Sequence, residues 1–298
     1  MSKKAYNSDM NKRTLIVDFM YLWNRVYAIR GNETPNLVRA TLKSMENSMY
    51  YDDKYIVLDG TNSVSLRRRV YPEYKASRGD KSDIYKLLNQ FLQDISEDFK
   101  ELKIIRNDNF EADDVITYLV KNSDSIVHIY SGDTDLFQLM RFPCTHVGTD
   151  YKRVGTFILT PIHEEEAKER YFKRYGINVK NMSYITKCKA FKGDTSDNIP
   201  IACPGMKAKT IEAMLNECWS EDTPLTSDIM RNMHSFLKEH GTAKEQSNFY
   251  EHRKDIIRNY KLTQLGYIDF NVAKDLKRLN KTGEWDGFQL IWFPKRSS

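Results

Sequence analysis

Short apolar runs that stop on an acid alternate, through the first half of the chain, with segments whose apolar residues recur at helical spacing. Thr14-Leu15-Ile16-Val17-Asp18 reads as a buried strand ending on a carboxylate, and Tyr55-Ile56-Val57-Leu58-Asp59-Gly60 repeats the pattern. Leu102-Lys103-Ile104-Ile105-Arg106 is another short strand, and Ile126-Val127-His128-Ile129-Tyr130 a further one that leaves through Ser131-Gly132-Asp133. Residues 156–160 form a later strand, ended by Pro161. A helix is expected within residues 36–50. A second covers 84–99, where Ile84, Leu87, Leu88, Phe91, Leu92, Ile95 and Phe99 share a stripe and Ser82 or Asp83 offers a cap. Residues 111–121 are a third, with Val115, Ile116, Leu119 and Val120 on the buried side. Strands alternating with helices predict an α/β fold with a mostly parallel central sheet flanked by helices. In such sheets ligands bind beyond the carboxyl ends of the strands.

The acids lie at those ends. Asp18, Asp59 and Asp133 each follow an apolar strand, and Glu111, Asp113 and Asp114 open the helix after another. With Asp135, residues 111–135 hold five of these carboxylates. Acids in a first helical turn complement the helix dipole without any function, and a lone strand-end aspartate usually serves a turn or a cap. Repetition of the arrangement favours a shared site instead. Carboxylates held close repel one another unless a cation sits between them, and an all-oxygen site suits Mg2+ or Mn2+.

Composition narrows the partners. A chain of 298 residues can bury a substantial core, and 40% hydrophobic with 29% charged residues describes a water-soluble class with no apolar run of membrane-spanning length. Met1-Ser2-Lys3-Lys4 and the residues after it lack the apolar core of a secretory signal, so the cytoplasm is the expected compartment. Cys144, Cys188, Cys203 and Cys218 make no Cys-x-x-Cys pair, which favours free thiols over zinc. The net charge of +5 is mild, but it surrounds an acid cluster, and nucleic acid becomes a plausible partner.

Two cationic segments sharpen that expectation. Arg67-Arg68-Arg69 precede Tyr71-Pro72-Glu73-Tyr74-Lys75-Ala76-Ser77-Arg78-Gly79-Asp80-Lys81, in which tyrosines interleave with cations. Such a stretch is either a solvated charge run or a single-strand contact, with phosphates on the cations and bases stacked on rings such as Tyr74. Later, Phe191-Lys192-Gly193-Asp194-Thr195-Ser196-Asp197-Asn198-Ile199-Pro200 sets two acids three apart. Cys203-Pro204-Gly205-Met206-Lys207-Ala208-Lys209 then opens a helix with Ile211, Met214, Leu215 and Cys218 on one face. A helical hairpin with solvated lysines explains this segment. So does a grip on phosphates, in which turn amides at Gly205 and the Lys207 and Lys209 ammonium groups donate to phosphate oxygens.

Taken together, Ile-Val-Asp18, Pro-Glu-Tyr-Lys75-Ala-Ser-Arg78, Glu111-Ala-Asp113-Asp114, Ser-Gly-Asp133-Thr-Asp135 and Gly-Asp194-Thr-Ser-Asp197-Asn-Ile-Pro resemble the motif series of the 5′-nuclease superfamily, over roughly residues 14–215. That superfamily takes in flap endonucleases, the 5′-exonuclease domain of bacterial DNA polymerase I and stand-alone bacteriophage 5′-exonucleases; the chain looks most like the last. The resemblance implies two Mg2+ ions, replaceable by Mn2+. Asp18, Asp59, Glu111, Asp113, Asp114, Asp133 and Asp135 would surround one, while Asp194 and Asp197, helped by Asp133 and Asp135, would hold or orient the second. Asp133, Lys75 and Arg78 would carry catalysis, the two cations from the base of a helical arch or clamp. Arg67, Arg68, Arg69, Tyr74, Lys81, Gly205, Lys207 and Lys209 would contact nucleic acid. A helix–turn–helix over about 181–218 would grip duplex, in the family often with K+ on its turn carbonyls. Here Lys207 replaces the usual second turn glycine and Ile201 another, which argues against K+ and for lysine charge.

The expected organisation is a frayed stretch at 1–13, a nuclease core at 14–180 with the arch about 67–100, and a helical part at 181–298. The expected activity is metal-dependent hydrolysis near 5′ ends of DNA flaps, nicked duplex or RNA primers in RNA–DNA hybrids, during replication or repair, by a monomer that meets replication proteins and no membrane. Two other readings share the acid cluster: a catalytically inactive DNA-junction-binding protein, and a small-molecule phosphatase. The phosphatase leaves both cationic segments without a role.

Overall fold

The computed structural model describes residues 12–79, 82–152, 157–220, 223–266, 272 and 274–288. The N-terminal stretch before residue 12, Lys81, the cap sought at Ser82 or Asp83 and the tail beyond Phe288 lie outside the described side chains. In chain order the elements are β1 (Arg13–Asp18), α1 (Phe19–Arg30), α2 (Thr34–Glu46), β2 (Asp53–Leu58), α3 (Ser65–Val70), α4 (Ser82–Asp94), β3 (Lys103–Asn107), α5 (Ala112–Lys121), β4 (Ile126–Tyr130), β5 (Thr145–Gly148), β6 (Asp150–Lys152) and β7 (Ile158–Thr160). There follow α6 (Glu164–Tyr175), α7 (Tyr184–Lys192), α8 (Ala208–Cys218), α9 (Ser227–His240), α10 (Ala243–Thr263), β8 (Leu276–Leu279) and β9 (Trp285–Gly287). The chain divides into two compact units. The first comprises residues 1–63, 79–162 and 269–298, and the second residues 64–78 and 163–268.

The first unit is built on a seven-stranded sheet in the order β5-β4-β1-β2-β3-β8-β9. Strands β5, β4, β1, β2 and β3 run parallel, and β8 and β9 add antiparallel pairs at one edge. Side chains alternate across the pleat. Leu15, Val17, Ile56, Leu58 and Ile104 pack on one face with Leu22 and Trp23 of α1, Val38 and Leu42 of α2, and Leu88 and Phe91 of α4. Ile16, Val57 and Ile105, also fully buried, alternate with them, and α5 packs on these same three strands. Each such side chain removed from water contributes about 1.5–3 kcal/mol, which fixes the register strongly. Helix α4 stops at Asp94, short of the apolar stripe, yet Ile95 and Phe99 still enter this core.

Two elements of the first unit depart from the sequence reading. Helix α1 carries apolar residues on several sides, with Ile29 71% exposed, so its periodicity is blurred; the Asp18 cap and Gly31 at its end (φ 52°) delimit it. The region after residue 180 is not wholly helical, because β8 returns to pair with β3, Asn107 opposite Leu276. A four-residue strand stabilised by a partner some 170 positions away leaves almost no local signal.

The second unit is helical. Helix α7 is buried along most of its length and packs against α10, whose start is closed by a reciprocal cap between Thr242 and Glu245. Glu245 also accepts from Thr210 Oγ1 of α8 at 2.7 Å, tying the two helices together. No described helix is long and apolar enough to cross a membrane.

Candidate active site

Strand register brings the acids of the first unit to one rim. Asp18 is level with Val57, so Asp59 stands two residues beyond it on the neighbouring strand. Val17 is level with Tyr130, which sets Ser131 beside Asp18 and Asp133 two residues further out. Asp18 ends β1 and caps α1: its Oδ1 accepts from Tyr21 N at 3.0 Å, and its Oδ2 accepts from Ser131 Oγ at 2.8 Å. Burial pushes the Asp18 carboxyl up to about 7 against the lowering effect of those two donors, and the charges of Asp133 and Asp59 push the same way as burial.

The neighbouring acids are tied to helix starts. Asp59 Oδ1 accepts from Ala112 N at 2.8 Å, joining the end of β2 to the first turn of α5. Glu111 caps that helix, and Asp114 reaches back to the Glu111 amide at 3.3 Å. Glu111 and Asp114 are buried, while Asp113 is half-buried. Asp133 caps the turn after β4, accepting from Asp135 N at 2.8 Å, and is itself exposed. Gly132 cannot be replaced without displacement, because a Cβ there would fall 2.5 Å from the Tyr21 ring. The capping roles and the shared rim therefore coexist in the same residues.

As the side chains stand, no three carboxylates, imidazoles or thiols among the described residues are gathered tightly enough to coordinate one ion. The donor chemistry nonetheless fits a hard divalent cation. The donors are carboxylate oxygens on adjacent strands, and the buried one is raised chiefly by its burial, with a smaller push from its neighbours' charge.

Asp194 and Asp197 belong to the second unit, where both are occupied by protein cations. Asp194 is 2% exposed. Its Oδ2 accepts from the fully buried Lys189 Nζ; its Oδ1 accepts from Arg174 Nη2 at 2.9 Å, Ser196 N at 2.9 Å and Ser196 Oγ at 2.5 Å. Burial alone would raise the Asp194 carboxyl, but Lys189, then Ser196 and Arg174, hold it below its ordinary value. A metal ion here would have to displace a buried ammonium, so these donors do not fit a second cation in this conformation. Asp197 Oδ1 takes Arg78 Nη2 at 2.8 Å and lies 3.8 Å from Lys75 Nζ, and its Oδ2 accepts from Tyr74 Oη at 3.0 Å.

The remaining expected nucleic-acid contacts divide by exposure. Tyr74 is 2% exposed and packs with Ile199 and Leu262, so its ring is no platform for a base. Arg67 is buried too, its Nε donating to Leu262 O at 3.3 Å. Arg68, Arg69, Arg78, Lys207 and Lys209 are exposed, and Lys75 is half-buried. In the turn before α8, Gly205 adopts φ 85°, whereas Lys207 has φ −69° and needs no glycine. Pro204 O accepts from Asn248 Nδ2, and Met206 O from Lys192 Nζ at 3.5 Å. Two carbonyls of the turn thus each accept a protein donor.

Sequence reasoning missed Ser131, Lys189 and Arg174. Lys189 had a signal, a lysine set within the apolar stripe of α7; the other two had none.

Comparison with known proteins follows the same lines. The model of the 5′-3′ exonuclease N-terminal resolvase-like domain matches residues 13–172. The zinc-bound structure of T5 5′-exonuclease is similar at TM-score 0.61 and 21% identity, covering 85% of this chain and 90% of that one. A bacteriophage T5 flap endonuclease in a pseudo-enzyme–product complex with DNA and metal ions gives TM-score 0.59 and 20% identity, over 85% and 89% of the two chains. A T5 5′-exonuclease mutant gives TM-score 0.59 and 20% identity, over 85% and 88%. At such identities the likeness establishes the fold. Comparison with the curated proteins returned no match. The family model spans more than half of the chain, including the strands that carry Asp18, Asp59 and Asp133, and the protein belongs to the 5′-3′ exonuclease family, a family of nucleases.

Proposed function

We propose that the protein is a divalent-metal-dependent, structure-selective 5′-nuclease. Its substrates are phosphodiester bonds near the 5′ end of branched or nicked duplex DNA, and of RNA paired with DNA, in replication or repair. The observation that carries this reading is the convergence of Asp18, Asp59 and Asp133 on one strand-end rim, with the Asp18 carboxyl pushed up to about 7 by burial and by its two acidic neighbours. Bound there, Mg2+ or Mn2+ would lower the pKa of a water and offset charge building on the phosphate.

The protein's own groups do the rest. Asp18, Asp59 and Asp133 would hold the ion, and Glu111, Asp113, Asp114 and Asp135 would orient those carboxylates. Ser131 Oγ fixes the Asp18 carboxylate, and the Gly132 turn fixes the approach of Asp133. Lys75 and Arg78 supply positive charge for the reacting phosphate, Arg78 through a fork that can hold two phosphate oxygens. Exposed Arg68, Arg69, Lys207 and Lys209 contact backbone phosphates, which position the substrate without reading its sequence. Selection then rests on structure, a free 5′ end beside duplex.

The test is a product map from end-labelled flap, nicked-duplex and RNA–DNA substrates, with Mg2+ or with chelator. Short 5′ products that vanish in chelator are expected, and Asp133→Ala should lose at least about a hundredfold in rate while still binding the flap substrate. Chelator-resistant cleavage, or normal turnover by Asp133→Ala in Mg2+, would overturn the assignment.

A further inference from the structure

The loop from Gly193 to Ile199, which the sequence motif offers as a second metal site, is built in the structure for a different task. It grips the segment that carries Lys75 and Arg78. Asp197 makes four separate contacts with that segment. Its carbonyl accepts from Lys75 N at 2.9 Å, and its carboxylate takes Tyr74 Oη at 3.0 Å, Arg78 Nη2 at 2.8 Å and the Lys75 ammonium at 3.8 Å. The adjacent Asn198 adds a fifth, Nδ2 donating to Glu73 O at 2.8 Å. Within this grip Lys75 is held at φ 54°, in the left-handed region that a lysine enters only when its surroundings compel it.

The gripping loop is itself rigid. Asp194 and Ile199 exchange backbone hydrogen bonds at 2.8 Å in both directions, closing the loop on itself. Gly193 sits at φ 68°, and a Cβ there would lie 2.4 Å from Ile199 O, so the closure requires glycine. Inside the ring, the Asp194 carboxylate is pinned by Lys189, Arg174 and Ser196, with the Lys189 and Asp194 side chains 0% and 1% exposed.

We infer that Asp197, braced by the Asp194–Lys189 pair, is a positioning residue for Lys75 and Arg78. It fixes where their charges are presented, and it does not serve as a ligand of a second cation. This rests on the role given to Lys75 and Arg78 in the proposed function. The physical gain is preorganisation: cations already oriented need no ordering when the phosphate arrives. Tyr74 keeps Asp197 aligned from inside the unit, which accounts for a buried tyrosine beside the exposed Arg68, Arg69 and Arg78.

Four measurements on Asp197→Asn test the inference. Cleavage of a 5′-labelled flap should lose about tenfold or more in kcat with KM changed less than about threefold. Combination with Arg78→Ala should cost no more than the larger single change, because the two residues act as a pair. The number of Mn2+ ions bound, read by electron paramagnetic resonance, should equal that of the unsubstituted protein. Trypsin should nick after Lys75 and Arg78 about tenfold faster, since the segment is no longer clamped. Asn198→Gly keeps the left-handed backbone, removes only the Glu73 contact, and should show smaller changes of the same signs. Loss of one bound Mn2+, independent multiplication with Arg78→Ala, or unchanged trypsin sensitivity in both variants would overturn the inference. If Lys75→Ala and Arg78→Ala leave kcat intact, the functional reading fails instead. The trypsin result then decides the clamp by itself.

Discussion

Asp18 and Asp194 are both buried aspartates, yet their surroundings drive them in opposite directions. Asp18 has hydrogen-bond donors but no cation and faces two like charges, so it is poised for a counterion. Asp194 already has its counterions in Lys189 and Arg174. Sequence motifs treat the two alike, because a motif records residue type and spacing while pKa depends on what folds against the group. His128 illustrates the same point away from the site. It is 5% exposed, its Nδ1 lies 2.9 Å from Tyr51 Oη, and Tyr51 Oη also accepts from Leu159 N at 3.0 Å. Burial, then the charges of His146 and Arg13, lower the imidazole to about 4 from 6.5. A folded-state value below the unfolded one means that the neutral ring is the stabilising form. Its contribution is complete above pH 6.5 and is lost as pH falls towards 4. Urea melts at stepped pH should therefore show an acid-side loss approaching about 3 kcal/mol, and His128→Gln should flatten that slope. A variant with the same slope as the parent would remove His128 from the cause.

At the scale of elements, the strand ends and helix starts are the working parts. The rim exists because β1, β2 and β4 are parallel neighbours and each is followed by a cap: Asp18 for α1, Asp59 on the first turn of α5, and Asp133 for the turn after β4. Capping and ligation ask for the same oxygens, so the two roles can be separated by substitution. Asp18→Asn keeps an acceptor for Tyr21 N and a donor for Ser131 while discarding the charge. Without divalent ions it should match or exceed the parent in thermal stability and yet fail to cleave. Asp18→Ala should lose the cap as well, at about 1 kcal/mol. If Asp18→Asn melts well below the parent, the carboxylate is stabilising and the reading of an electrostatically frustrated rim is wrong. The strands at 126–130 and 14–18 were legible because each is a short, mostly apolar run with a polar stop, and the start of α5 because acids stand just ahead of an apolar stripe at helical spacing. Helix α1 was not, since its aromatic residues spread around the helix axis.

Across the whole molecule, the order of strands in the sheet differs from their order in the chain, and the last strands close an edge that an early one leaves open. β8 covers β3, and the buried Asn107 at the end of β3 donates to Val272 O at 3.0 Å. A chain ending at Ile268 would uncover β3 and expose the sites that Leu276 and Leu279 fill. Burial of each leucine is worth about 1.5–3 kcal/mol, and a bare strand edge recruits other chains. Such a chain should melt several degrees lower by calorimetry and scatter light at micromolar concentration; an unchanged melting temperature would mean that β8 only decorates the sheet.

Local pattern by itself determined the class of fold and the parallel strands that end on acids. Those features follow from period, run length and side-chain chemistry, which need no distant partner. Tertiary structure alone decided that Asp18 comes beside Asp59 and Asp133, that the Tyr74 ring faces inward, that Asn248 reaches the turn before α8, and that the chain returns to complete its sheet. The reason is common to all four. Each depends on a partner far away in sequence, and only folding supplies it.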